Sequence, residues 1–226
     1  MILLALDTAT PASVAGVLRA DGAIVEARDD PPPGSRGDHA ARLLPLAERA
    51  LAEAGVAWER LERIAVGVGP GGFTGLRIGI ATARALAQAL ALPLAGVGSL
   101  EALALGAGAA AGEPVTAAVL DARRGEVFAG AWAQGRAVLE PAALAPDALA
   151  TRLARLGVPV QAVGDGAVRF RQELARAGVA VPADGSSAHR MAAAPLCRLG
   201  AAGEPTGRDR LLPDYRREPD AQPPRR

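Results

Sequence analysis

A glycine-rich segment between a short apolar run and a long one most constrains the fold of this chain. It reads Gly69-Pro-Gly-Gly-Phe-Thr-Gly-Leu-Arg-Ile-Gly79 and lies between the apolar residues 64–68 and an apolar run that ends at Pro93. This order predicts a strand, a tight turn and a helix that Thr74 would cap, with glycines allowing close backbone approach. The helix start would offer unpaired N–H groups to an anion or to another backbone. The chain contains no lysine, so the segment is not a Walker A loop.

The string GPGGFTGLRIG resembles the GPGSFTGLRIG signature of the bacterial TsaB (YeaZ-like) family, with Gly72 in the position usually held by serine. Near the end of the chain, Pro213-Asp-Tyr-Arg-Arg217 is similar to the P-x-Y-x-R of the same family. The resemblance covers most of the chain and is most specific over residues 1–100.

This resemblance implies a non-catalytic scaffold and activator subunit required to form N6-threonylcarbamoyladenosine at position 37 of ANN-decoding tRNAs. The chain would form a heterodimer with the catalytic subunit TsaD, the ATPase TsaE would join the pair, and the chain alone would form a homodimer. Contact with tRNA would come through the complex. The chain would carry no cofactor of its own, because metal, ATP and threonylcarbamoyl-adenylate would belong to the partner subunits.

The bulk composition agrees with a cytoplasmic globular protein. The length of 226 residues, of which 50% are apolar, allows one large or two small domains. The net charge of +1 gives no sign of a strongly basic surface for nucleic acid. Cys197 is the single cysteine, so no intrachain disulfide can form, as suits a reducing compartment. The first residues lack a basic signal-peptide region, and no uninterrupted apolar run has membrane-spanning length, so we expect no membrane association.

An internal repeat predicts two related halves. The order of apolar strand, aspartate turn and hairpin occurs at residues 2–28 and again at residues 115–140, and a shift of 114 residues places Leu6-Asp7 on Leu120-Asp121. Together with the resemblance, the repeat indicates an α/β fold of two duplicated actin-like (ASKHA, ribonuclease-H-like) domains, with mixed sheets flanked by helices. We predict an N-terminal domain over residues 1–100 that carries the partner-binding helices. A smaller domain would follow over 101–207, and a C-terminal segment over 208–226 whose last nine residues are disordered.

Two predicted helices, over residues 38–54 and 74–92, carry more apolar surface than one sheet face covers. On the first helix, one apolar stripe, Leu44, Ala47, Leu51 and Ala54, suits the core. Either the two helices bury each other on the sheet, or they also pack against another subunit. The family resemblance supports the second interpretation. The partner-facing residues would then be His39, Leu43, Leu46, Ala50, Leu76, Arg77, Ile80, Ala83, Arg84 and Ala87.

Asp7 is the first candidate for chemistry. It follows the first strand in a loop with Thr8, which is where actin-like ATPases and sugar kinases hold a metal–phosphate group. On this alternative hypothesis the chain is an actin-like small-molecule kinase or ATPase, and a nucleotide would contact Asp7, Thr8, Gly71 and Gly72. The other interpretation is an Asx-type turn, in which the Asp7 carboxylate bonds its own backbone.

A metal site and a metallopeptidase activity receive little support. His39 is followed four residues later by Leu43, so the H-x-x-x-H pair of TsaD is absent, and His189 lies far along the chain. Cys197 has no sequence setting of an activated thiol, and no serine lies in a G-x-S-x-G motif. We therefore predict no metal and no catalytic residue.

Overall fold

The computed structural model describes residues 1–32, 35, 37–108 and 115–216, which form two mixed β-sheets with helices on their faces. The first sheet contains β1 (Leu3–Asp7), β2 (Ser13–Leu18), β3 (Ile24–Asp29), β4 (Arg63–Gly69) and β5 (Leu94–Gly98). The second contains β6 (Val115–Arg123), β7 (Glu126–Ala133), β8 (Arg136–Leu144) and β9 (Val160–Val163). The helices are α1 (His39–Ala54), α2 (Phe73–Ala89), α3 (Ser99–Gly106), α4 (Pro146–Ala154), α5 (Asp165–Arg169), α6 (Arg171–Arg176) and α7 (Ala193–Ala202).

The two sheets repeat one connectivity. The strand orders are β3-β2-β1-β4-β5 and β8-β7-β6-β9. In each sheet, an antiparallel meander of three strands is extended by a parallel strand beside the first one, β4 next to β1 and β9 next to β6. Asp7 pairs with Val14 in the first sheet, and Asp121 pairs with Val127 in the second. The predicted α/β fold of two duplicated halves is therefore confirmed.

Helix α7 follows the second sheet in the chain but packs on the first. Glycines permit the close approach, because a Cβ on Gly16 would lie 2.4 Å from Ala193 Cβ and a Cβ on Gly200 would lie 2.3 Å from Ala65 Cβ. The proposed boundary after residue 100 separates the two sets of strands. It does not describe the packing of α7, which we had assigned to the second domain.

Both ends of α7 are also hydrogen-bonded to the first sheet. At its start, Ala193 N donates to Glu26 Oε2 at 2.6 Å. At its end, Arg63 Nη1 donates to the carbonyl oxygens of Gly200, Ala201 and Gly203 at 3.0, 3.2 and 2.7 Å. These bonds satisfy backbone groups that a helix leaves unpaired at its termini.

Helices α1 and α2 cover the opposite face of the first sheet, where the alternate residues of β1, such as Leu4 and Leu6, point. Eight of the ten residues that we predicted to face a partner are buried within the chain itself. They are His39, Leu43, Leu46, Ala50, Leu76, Ile80, Ala83 and Ala87. These eight side chains face inward in the structure, because the sheet and the neighbouring helix together cover a wider arc of each helix than one sheet face would.

Leu44, which we had placed in the core, is 41% exposed. Of the remaining two predicted partner residues, Arg77 is exposed, and the half-buried Arg84 donates to Leu211 O at 2.6 Å. The residues that the two helices expose to solvent are therefore different from the residues that we predicted to face a partner.

Some local predictions also change. Helix α2 begins at Phe73 with Gly72 as its N-cap residue, so Thr74 lies inside the first turn and does not cap it. Asp38 precedes α1 as predicted, but its side chain makes no capping hydrogen bond. The predicted disorder of the last nine residues concerns a segment outside the described part of the chain. Among the helices that are described, none is both long and apolar enough to cross a membrane.

Candidate functional site

A cleft of about 570 Å³ lies between the two halves. Its walls come from the β1–β2 loop, the starts of α1 and α2, the β6–β7 hairpin, α5 and the C-terminal segment. Its volume is in the range of sites that enclose small organic molecules. The polar residues on its walls include Thr8, Thr10, His39, Thr74, Asp121, Arg123, Asp165, Asp214, Tyr215 and Arg216.

Asp7 lies behind this cleft and not on its wall, since its side chain is fully buried. Its Oδ1 accepts a hydrogen bond from Ala9 N at 2.9 Å, and its Oδ2 accepts one from Ser99 Oγ at 2.8 Å. Burial raises the pKa of Asp7 to about 6. The structure thus forms the Asx-type turn that was the alternative to a metal–phosphate site, and the carboxylate holds the loop to the start of α3.

The other three residues predicted to contact a nucleotide join the β1–β2 loop to the start of α2. Thr8 Oγ1 donates to Gly75 O at 2.7 Å, and Gly72 N donates to Ala9 O at 2.8 Å. A Cβ on Gly71 would lie 2.4 Å from Ala9 O, so the close approach of the two loops requires a glycine there. Gly71 and Gly72 line the cleft together with Thr8.

His39 belongs to this cleft and not to a partner surface. The residue is 8% exposed, and its Nδ1 is hydrogen-bonded to Ser13 Oγ at 2.8 Å. Burial lowers the pKa of His39 below its usual value, against the opposing effect of Asp29 and Asp38. The imidazole is therefore neutral at pH 7, and Ser13, itself buried, holds its orientation.

In the second half of the chain, hydrogen bonds hold the β6–β7 hairpin, which corresponds to the β1–β2 loop of the first half. Asp165 Oδ1 accepts from Asp121 N at 3.0 Å, and burial raises the pKa of the Asp165 carboxyl. Asp121 Oδ2 accepts from Arg169 Nη1 at 2.6 Å, and Asp121 Oδ1 accepts from Arg123 N at 2.9 Å. The Gly164-Asp-Gly166 segment therefore supports the β6–β7 hairpin.

The C-terminal segment packs on the start of α2. The Tyr215 ring stacks on Phe73 with 5.3 Å between centroids, and the Arg77 guanidinium lies 3.8 Å over the Phe73 ring centre. Asp214 N donates to Val68 O at 2.8 Å and so fixes the segment beside β4. The two motifs that carried the family resemblance therefore meet in space. The sequence held no signal for this contact, because nothing in either motif specifies the other.

The outer face of α1 and α2 is built mostly of small and apolar side chains. We define this outer face by its exposed residues Ala41, Leu44, Pro45, Ala81, Ala85 and Ala89. Small side chains let another helix approach closely, and exposed apolar patches of this kind mark interaction sites.

The comparisons with known proteins point to one family. The family model of TsaD, tRNA N6-adenosine threonylcarbamoyltransferase, matches residues 31–192. The chain is 38% identical over 135 residues to the Escherichia coli "tRNA threonylcarbamoyladenosine biosynthesis protein TsaB", covering 59% of this chain and 54% of that protein. Matches to the curated relatives span between 39% and 63% of those proteins' own length.

Solved structures agree over nearly the whole chain. An uncharacterised protein from Pseudomonas aeruginosa, described as similar to peptidase YeaZ, superposes with a TM-score of 0.80 at 33% identity, covering 96% of this chain and 99% of that one. A ROK hexokinase from Thermus thermophilus superposes with a TM-score of 0.51 at 17% identity, covering 90% of this chain and 98% of that one. The hexokinase shares the fold alone.

Proposed function

Because the chain belongs to the TsaB (YeaZ-like) family, we propose that it takes part in forming N6-threonylcarbamoyladenosine in tRNA. In this proposal it is a non-catalytic subunit that binds the catalytic subunit TsaD and supports modification of position 37 in ANN-decoding tRNAs. TsaE would join the pair, tRNA would be contacted through the complex, and the chain alone would form a homodimer in the cytoplasm.

The observation that carries the proposal is the outer face of α1 and α2. Leu44 on α1 and Ala85 on α2 present apolar surface to solvent on helices that already cover the sheet with their inner sides. Packing of a TsaD helix pair on this face would bury that surface. The buried residues that we had first assigned to the interface would then shape the helices from inside and would not touch the partner.

Three features support a role without catalysis. Asp7 is engaged in the loop, and Ser13 is buried with its hydroxyl on His39. Cys197 is buried in the core, and burial raises the pKa of its thiol to about 12, so no thiolate forms near pH 7. Metal, ATP and threonylcarbamoyl-adenylate would accordingly be held by the partner subunits.

The alternative is an actin-like small-molecule kinase or ATPase. The cleft between two halves and the fold shared with a hexokinase favour it. The burial of Asp7 speaks against it, because a metal–phosphate group needs a carboxylate that reaches the cleft. For the metallopeptidase alternative, the described part of the chain contains no group of histidine, cysteine and acidic residues that could hold a metal ion.

The test mixes the purified chain with TsaD of the same organism and measures complex mass by light scattering. Leu44→Glu and Ala85→Glu place charges on the outer face, and Ala175→Glu places one on the exposed side of α6 as a matched control. We expect a heterodimer with the unmodified chain and with Ala175→Glu, and its loss with the other two variants. A complex that survives both variants would move the interface elsewhere. No complex, together with ATP turnover by the isolated chain, would favour the kinase-like function.

A further inference from the structure

The start of α2 directs unused hydrogen-bond donors toward the cleft. The helix is 17 residues long and has no side-chain cap. The amides of Phe73, Thr74 and Gly75 donate to no acceptor among the described residues, whereas the next amide, of Leu76, donates to Gly72 O at 2.9 Å. Unpaired amides and the positive end of the helix dipole together attract negative charge.

His39 adds a second donor at the same place, and it does so from a different helix. More than nine-tenths of the residue is buried, and its Nε2 lacks a partner within the described part of the chain. A Cβ on Gly75 would lie 3.1 Å from this Nε2, and a Cβ on Gly37 would lie 3.0 Å from it, so two glycines leave the ring its space. The Nε2 atom is thus directly beside the first turn of α2.

The tautomer of His39 follows from Ser13. The Ser13 hydroxyl has no other acceptor among the described residues, so it donates to Nδ1, and the ring proton resides on Nε2. The cleft wall therefore presents several N–H donors here, beside the backbone carbonyl oxygens of Thr8 and Pro11.

The charge around these donors suits a carboxylate better than a phosphate. Arg123 pairs with Asp121, and Arg216 pairs with Asp214, so neither guanidinium is a free counter-charge for the donors. The positive field is that of one helix end, about half a charge. A monoanion matches it, whereas a phosphate dianion would remain undercompensated.

Apolar side chains occupy the walls beyond the donors. Ile78, Leu120 and Phe128 line the same cleft, and the stacked Phe73 and Tyr215 rings form its rim. Such walls favour an apolar or aromatic body attached to the anionic group.

We propose that the cleft binds a small organic carboxylate, with the carboxylate on the first-turn amides of α2 and His39 Nε2, and the apolar body against Leu120 and Phe128. This site is separate from the outer face of α1 and α2, and the proposal does not depend on the role in tRNA modification.

The first experiment titrates the full chain with benzoate and follows it by NMR. His39 and His189 are the two histidines of the chain, so the imidazole spectrum assigns readily. We expect saturable shifts of the His39 Nε2 signal and of the amides of residues 73–75, little effect of the neutral isostere benzamide, and weaker binding of inorganic phosphate. Equal binding of benzamide, tighter binding of phosphate, or no shift at these atoms would each overturn the proposal.

Two matched pairs of variants test the donors one at a time. Phe73→Pro removes a single amide donor at a helix position that accepts proline, after the extended Gly72, and Phe73→Ala removes the ring but keeps that donor. We expect Phe73→Pro to bind benzoate about tenfold more weakly than Phe73→Ala, since one hydrogen bond to a charged group is lost.

At the histidine, His39→Gln keeps an amide donor near the Nε2 position, and His39→Leu removes it. We expect affinity to fall about tenfold in His39→Leu and to recover in part in His39→Gln. Equal affinity across both pairs, in variants whose amide spectra show an intact fold, would refute the assignment of these donors. The Phe73 pair keeps the proposal testable if His39→Leu fails to fold.

Discussion

Arg77 Nε donates a hydrogen bond to the hydroxyl of Tyr215 at 3.0 Å, which joins the glycine-rich signature to the C-terminal segment. The same guanidinium also covers the Phe73 ring, on which Tyr215 stacks. Three side chains from two distant parts of the sequence therefore support one another at the rim of the cleft.

Truncation of Tyr215 should release the C-terminal segment from α2. Tyr215→Phe loses only a half-exposed hydrogen bond, so we expect a loss of about 0.5 kcal/mol in the free energy of unfolding. Tyr215→Ala also loses the ring stacking, and we expect about 1.5 kcal/mol. Urea unfolding measures both, and hydrogen exchange at residues 211–216 should rise in the Ala variant. Equal stabilities of the two variants would mean that the stacking contributes nothing.

The buried carboxyl of Asp7 should make stability depend on pH. Its pKa is raised from 3.8 to about 6 in the fold. Between these values the folded chain keeps a proton that the unfolded chain has released, so the free energy of unfolding falls as pH rises and is constant above the folded pKa. The full change is about 3 kcal/mol.

The matched variant for this prediction is Asp7→Asn, whose side-chain oxygen can still accept from Ala9 N. It should remove most of the decline between about pH 4 and pH 6. The remainder would come from Asp165 and Glu101, because burial also raises the pKa of both carboxyls. Chemical unfolding at a series of pH values measures this. A decline of unchanged size in Asp7→Asn would assign the pH dependence to other groups.

Gly200→Ala tests how tightly α7 is held against the first sheet. Alanine gains about 1 kcal/mol over glycine inside a helix, but its Cβ would lie 2.3 Å from Ala65 Cβ, and overpacking costs about 1–3 kcal/mol. We expect a net destabilisation of about 1 kcal/mol. In the double variant with Ala65→Gly the clash disappears, so the coupling energy from the double-mutant cycle should be favourable. Additive effects would show that α7 shifts freely to make room.

Arg63 should anchor the end of α7. Arg63→Met removes the Nη1 donor from the three carbonyl oxygens at the end of α7. We therefore expect a loss of about 2 kcal/mol in the free energy of unfolding. Arg63→Lys keeps a charged donor at one point and should lose less. Calorimetry of both variants checks the order, and a Met variant as stable as the Lys variant would contradict it.

The sequence predicted the duplicated architecture because two strand–aspartate–hairpin patterns recur with the same spacing, and the structure repeats the connectivity accordingly. It could not decide which arc of α1 faces inward. Leu43 and Leu44 are neighbours on a helix that is apolar over a wide arc, and only the position of α2 and the strands determines that Leu43 is buried and Leu44 exposed. The hydrophobic periodicity shows which residues share one side of the helix. It does not show how the helix is rotated about its own axis when it packs on the sheet.

The same limitation applies to the candidate site. The glycine-rich turn and the helix that follows it were predictable from local patterns. The convergence of His39 with the first turn of α2 was not, because it depends on how α1 enters the sheet face. Nor could the return of α7 to the first sheet be read from the sequence, since Glu26 and Arg63 bond to it across more than one hundred residues.

Gly72 is not required by its own backbone. Its φ is −60°, and a Cβ there would meet nothing closer than Ala9 O at 3.6 Å, so a serine fits. A serine hydroxyl at this N-cap would accept from the same first-turn amides, at the high effective concentration of a group tethered to the helix itself. With glycine at this position, the first-turn amides stay available to solvent or to a bound carboxylate. In Gly72→Ser, the serine hydroxyl would occupy these amides and would compete with a free carboxylate for them.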